Sequence, residues 1–196
     1  MDMKNFRKKV RDYYKPYYEN GDEAHLIEHA DSVCDLALSI NKECDEKLII
    51  LASYMHDMFN TINRAKHNEL AYEYALKADD KFLKELTKKE LQKVAHALLE
   101  HRASFKGDFY SPLSEIISSA DRELPNLELI VIRCIKFNNN IESVHKHIKE
   151  KYGTNGYANY PKLYRKIFDK ELNIFKKEID NLSIEKILEF WENRKL

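Results

Sequence analysis

The chain has 196 residues, and its 33 Lys+Arg balance 33 Asp+Glu, so no global field exists to draw in a nucleic acid or an anionic membrane. Only 4 Gly and 4 Pro occur, which argues against a sandwich or barrel of many tight turns. An apolar fraction of 43% with 11% aromatics excludes a disordered chain, and no apolar run approaches the roughly 20 residues of a membrane span.

Residues 2–19 predict a charged, Tyr-rich helix that Pro16 ends or kinks. Its opening run, MDMKNFRKKVRDYYK, has no apolar signal core. Gly21-Asp22 is a break, and from Glu23 to Ile40 the spacing of Leu26, Val33, Leu36 and Ile40 is helical, with His29 inside that stripe. Asp45 can cap the next helix, whose run LIILASYMHDMF is apolar on nearly every face and therefore central and buried. A polar bend at Asn60–Asn63 leads to a helix over 66–78 with Leu70, Tyr74 and Leu76 as inward positions. Thr87 and Glu90 have capping-box spacing and open a helix that faces inward through Leu91, Val94, Ala95, Leu98 and Leu99. Gly107 to Pro112 is a loop, and a short helix from Leu113 to Ala120 reaches Asp121 before Pro125 interrupts. Helices are predicted over 127–137, 141–152, 162–180 and 183–194, with GTNGYANYP as the clearest loop. The pattern is all-α, about eight to ten helices in a single domain. Three cysteines (Cys34, Cys44, Cys134) without a CxxC pair suit a reduced, cytoplasmic protein.

Chemistry concentrates in the histidines. Six of the 8 lie between His25 and His101, among them His96, which reads as structural; His145 and His147 fall in a charged stretch that reads as solvated surface. His56-Asp57 ends the most apolar helix. Burying an ionised Asp beside a His costs several kcal/mol unless a partner offsets it. A hydrogen-bonded Arg is one such partner. A divalent cation, taking imidazole nitrogen and carboxylate oxygen together, is another. His29 and Asp121 stand on two further inward-facing segments, an arrangement suited to a metal between helices.

The set His29, His56-Asp57 and Asp121, in the runs HLIEHADSVCDLALSI, LASYMHDMF and IISSADRE, resembles the HD-domain superfamily of metal-dependent phosphohydrolases. The resemblance covers residues 20–125, an HD-type metal-binding core, and leaves 126–196 as C-terminal helices that pack on it, shape its pocket or form a homodimer. It implies that His29, His56, Asp57 and Asp121 hold a divalent metal (Mn, Fe, Zn, Ni, Co or Mg), with Asp57 and Asp121 in catalytic roles. The runs RAKHNELAYEYA and LLEHRASFKGDF resemble helices of two-metal members, which brings in His67 and His101. These two either hold a second ion or contact substrate phosphate from the rim. The sequence departs from many one-metal members at Asn60, where those carry an acidic residue that positions water. Asn cannot act as a base.

Arg64, Arg102, Lys106 and Arg122 are the candidate phosphate contacts, because Arg suits bidentate phosphate recognition; Arg122 is also placed to pair with a carboxylate inside the site. His25 shares a helix face with His29 and either lines the pocket or supports it. Tyr54, Tyr110 and Tyr157 are candidates to stack a base. The resemblance implies hydrolysis of a phosphomonoester or phosphodiester, a nucleotide above all, by attack of metal-bound hydroxide. The alternatives are an HD-type di-iron oxygenase and a non-catalytic nucleotide-binding module. There is no Gly-rich phosphate loop and no nucleophilic Ser or Cys motif.

Overall fold

The structure is a computed structural model that describes residues 2–21 and 23–193; Asp22 of the expected break and position 194 of the last expected helix lie outside the described residues. The described residues are 67% helical, in ten α-helices without a strand. The chain divides into two compact units, Met1–Gly21 with His25–Glu123, and Asp22–Ala24 with Leu124–Leu196.

In the first unit α1 (Met3–Tyr14) is capped by Asp2, and Pro16 falls in a 3-10 turn, Lys15–Tyr18, that follows it. The second helix, α2 (Ile27–Ile40), starts later than the expected Glu23; Leu26 is its N-cap residue. Its buried face runs Ile27, His29, Ala30, Val33, Cys34, Ala37, Ile40, while Leu36 is half-buried. Asp45 caps α3 (Glu46–Met55), and every side chain from Leu48 to Met55 is buried. Each large apolar side chain so buried contributes about 1.5–3 kcal/mol. That surrounds α3 with protein: it packs against α1, α2, α5 and α6.

The inward face of α4 (His67–Lys77) differs from the expected one. His67, Ala71 and Ala75 are buried, Leu70 and Tyr74 are half-buried, and Leu76 is exposed. Small Ala side chains let α4 lie close against α5, a preference that counting large apolar residues overlooks. Both bonds of the Thr87–Glu90 capping box form at the start of α5 (Lys88–Glu100). Ser111 caps α6 (Pro112–Ala120), whose first position is Pro112.

The second unit holds α7 (Leu127–Phe137), α8 (Ile141–Tyr152), α9 (Lys162–Asp180) and α10 (Ile184–Asn193). Its core includes Ile130, Val131, Ile148, Tyr164, Phe175, Ile179 and Ile187. Within α9, Phe168 leaves helical geometry and kinks the element. In the loop before α9 a Cβ on Gly156 would stand 2.4 Å from the Lys151 carbonyl oxygen, so only glycine fits there. His145 is half-buried and bonds the Leu182 carbonyl at 2.8 Å through Nε2. The expectation of a solvated His145 fails because its ring fastens α8 to the end of α9.

Candidate metal centre

Five donor side chains of the first unit stand at helix ends. His56, His101 and Asp121 are the C-cap residues of α3, α5 and α6, and His29 and His67 lie in the first turns of α2 and α4. The C-terminal end of a helix carries partial negative charge and favours a nearby cation. It also leaves carbonyls without intrahelical partners. His56 Nδ1 lies 2.7 Å from the Ser53 carbonyl and His101 Nδ1 2.6 Å from that of Leu98; His67 Nδ1 lies 2.8 Å from the Arg64 carbonyl. A carbonyl only accepts, so all three Nδ1 atoms carry the proton and donate it. In the neutral imidazoles Nε2 is then left as a lone pair.

The Nε2 atoms converge. His67 and His101 approach at 3.0 Å, and His29 and His56 at 3.3 Å. Two facing lone pairs repel unless a proton or a cation lies between them. Asp57 separates the two pairs. Its Oδ1 lies 3.1 Å from His67 Nε2 and 3.6 Å from His101 Nε2. Its Oδ2 lies 3.4 Å from His56 Nε2 and 3.8 Å from His29 Nε2. Asp121 Oδ1 joins the second pair, 3.1 Å from His29 Nε2 and 3.7 Å from His56 Nε2. The donor atoms of His29, His56 and Asp57 all lie within 4.8 Å of one another, and so do those of Asp57, His67 and His101.

This geometry fits a divalent metal. With metal–nitrogen bonds of roughly 2.0–2.1 Å, donors at right angles are about 3.0 Å apart and tetrahedral donors about 3.4 Å. The two nitrogen pairs have those separations. All the donors are buried or nearly so, and each donor type is a ligand for Zn, Mn or Fe.

The electrostatics are those of buried charge held by neighbours. Burial pushes the Asp57 carboxyl up, but the His56 charge and the close imidazoles of His101, His56 and His67 hold it well below the usual carboxylate range. Asp121 is also held below that range: burial opposes ionisation, and the His29 hydrogen bond with the nearby imidazoles outweighs it. Burial pushes His56 down, yet Asp57 brings it up to about 9. His101 is lowered, by burial above all.

The HD domain family model matches residues 23–134, more than half of the chain. The chain belongs to the HD domain family. HD domains bind divalent metals, and the His-Asp doublet at the end of α3 lies inside the matched residues. Neither a curated protein nor a solved structure matches the chain. The match runs past the expected limit at 125 into α7 and leaves out α1.

The other sequence candidates of this HD domain are placed as follows. His25 is half-buried, its ring edge-on to His29 at 6.0 Å. Arg64 is exposed on the loop between α3 and α4, and Lys106 is exposed on the loop between α5 and α6. Arg102 Nη1 donates to the Ala65 carbonyl at 2.7 Å and ties those two loops together. Arg122 is only 5% exposed; it donates to the His101 carbonyl, Ser118 Oγ and Asp121 Oδ2. Of the two positions foreseen for it, that is the one inside the site. His96 stacks on Tyr110 at 3.9 Å and meets Glu100. Tyr54 is fully buried and bonds Asp31 through its hydroxyl, so it is not a base-stacking ring; Tyr157 lies in the second unit. Asn60 Oδ1 is buried without a hydrogen-bond partner.

Two residues at the site escape sequence reasoning. Tyr18, from the turn after α1, donates to the Tyr54 carbonyl at 3.0 Å. Burial and the charge of Asp57 hold its hydroxyl well above the ordinary tyrosine range. Glu123 Oε1 lies 3.1 Å from His29 Nδ1. Its position in the run ADRE was visible, but the left-handed backbone that turns it toward α2 (φ 58°) was not.

Proposed function

We propose that the chain is a metal-dependent phosphohydrolase with two cations. His29, His56, Asp57 and Asp121 hold one, and His67, His101 and Asp57 hold the other. The observation that carries this reading is the division of Asp57, whose two oxygens each face a different pair of imidazole nitrogens. A carboxylate placed so is suited to bridge two ions. When bound, a cation pair of this kind activates water for attack at phosphorus and neutralises the charge that develops on the phosphoryl oxygens.

The chain's own residues supply the rest. The main-chain carbonyls hold three imidazoles with Nε2 directed at the centre. Asp57 and Asp121 keep negative charge at neutral pH, which draws in the cations. Arg64, Arg102 and Lys106, on the loops after α3 and α5, receive the phosphate group of a small substrate, a nucleotide by preference. Asn60 cannot take a proton from water, so it places no side-chain base beside the doublet.

Elemental analysis of gently purified protein, followed by a phosphate-release screen over nucleotides with that metal supplied, tests the reading. About two ions per chain and metal-dependent release are expected. Metal-loaded protein that releases phosphate from no phosphoester would overturn it. One observation favours a second reading, an iron oxygenase: four imidazoles to two carboxylates is a nitrogen-rich set that also suits iron. Oxygen consumption by iron-loaded protein without phosphate release would select it.

A further inference from the structure

His56, His67 and His101 each place Nδ1 against the main-chain carbonyl three residues back. His29 does not follow them. The carbonyl three residues before it, on Leu26, receives the His29 main-chain N–H at 2.9 Å. The His29 Nδ1 meets a carboxylate instead, Glu123 Oε1 at 3.1 Å. Glu123 reaches it with a left-handed backbone three positions past the end of α6, fastened by its N–H to the Ala120 carbonyl at 2.9 Å. Few residues other than glycine adopt that conformation.

The triplet Asp121-Arg122-Glu123 therefore distributes charge unequally over the centre. Both carboxylates contact His29. The guanidinium between them in sequence donates to the carbonyl of His101, at 3.0 Å, as well as to Asp121. A cation beside His29 and His56 has Asp121 as a neighbour and Glu123 directly behind one of its ligands. A cation beside His67 and His101 shares Asp57 and has only main-chain carbonyls behind its two imidazoles, while Arg122 is bonded to both sides, through the His101 carbonyl and through Asp121. A carboxylate behind a ligating imidazole fixes its tautomer and raises its basicity as a ligand.

We propose that Glu123 is a positioning residue for His29 that makes the His29–His56–Asp57–Asp121 side the tighter of the two cation sites, so that this side fills first and the His67–His101 side second. The inference rests on the metal centre proposed above and goes beyond it by assigning an order of loading to a residue outside the ligand set.

Titration of the metal-free full chain with Mn²⁺ alone, followed by calorimetry and by the spin-resonance signal of free Mn²⁺, tests it. Wild type is expected to show a tight and a weak class of site. Glu123→Ala should weaken the tight class by roughly 10–100-fold and leave the weak class in place. Glu123→Gln keeps an acceptor for the Nδ1 proton without the charge, and should recover part of that loss. Circular dichroism of the metal-free variants checks that both remain helical. The proposal is overturned if Glu123→Ala leaves the tight class unchanged or weakens both classes equally. His56→Ala separates the two readings. If wild type binds two ions, His56→Ala loses the tight one and Glu123→Ala changes nothing, the order of loading alone is wrong. If wild type binds no Mn²⁺, the metal centre is wrong as well.

Discussion

The two ends of α3, α5 and α6 do different work. At the N-terminal ends Asp45, Thr87 and Ser111 turn back on their own helices and accept from main-chain N–H groups two or three residues on. At the C-terminal ends His56 and His101 fasten Nδ1 to their own helices but direct Nε2 outward, and with Asp121 these donors meet groups from other helices. A cap closes within four residues, so it stabilises its helix whatever lies nearby. A donor at the other end has a use only when other helices bring their own donors to the same point. The N-terminal ends are local structure, and the C-terminal ends are a tertiary assembly.

The largest way to break this comparison is at the doublet. Asp57→Ala removes the side chain that, among the described residues, faces both nitrogen pairs. Loss of bound metal and of phosphate release is expected, with helical circular dichroism retained because α3 is held by apolar burial on all sides. His56→Ala should behave alike for the metal on its own side. Full metal content in Asp57→Ala, measured by elemental analysis, would show that the assembly does not hold the ions.

A smaller effect is expected on the other side of Asp57. His67→Ala should reduce bound metal from two ions per chain to one, since His29, His56 and Asp121 keep their places. An unchanged ratio of metal to protein would mean one ion, with His67 and His101 as contacts to substrate at the rim. The expected loss follows from the 3.1 Å approach of His67 to Asp57 Oδ1 and the 3.0 Å approach to His101, neither of which involves His29, His56 or Asp121.

The same contrast explains what the sequence makes legible. Asp45 and the Thr87–Glu90 box can be read from it because a cap is a relation between residues two or three apart. The all-helical class follows from periodicity and from the scarcity of Gly and Pro. The ligands are legible one by one as His and Asp on inward-facing segments, and as one set through the resemblance to a family, since nothing local brings His29 to Asp121 across 92 positions. Glu123 and Tyr18 are not legible even so: one depends on a left-handed turn, the other on a segment outside the matched residues. The face of α4 misleads because close packing there selects Ala71 and Ala75 over larger neighbours.

At the N-terminal ends the effects are smaller and confined to stability. Thr87→Ala removes the acceptor for the Glu90 N–H and should cost about 1 kcal/mol, read as a lower denaturation midpoint. Metal content and activity per folded molecule should not change, although the same helix carries His101 at its far end. A loss of bound metal in this variant would mean that the two ends of α5 are coupled.

The smallest effect concerns the charge of that cap and has a defined direction with pH. Hydrogen bonds from the Thr87 hydroxyl and main-chain N–H hold the Glu90 carboxyl below its ordinary value. A carboxyl lowered in the folded state adds stability above its unfolded pKa, roughly 4.3, and that contribution disappears as pH falls through the folded value. Glu90→Gln preserves an acceptor at the same place but carries no charge. Wild type should therefore melt above Glu90→Gln at pH 7, and the gap should close as the solution is acidified toward pH 3. A gap that persists unchanged at the acid end would assign the cap's contribution to shape rather than to charge.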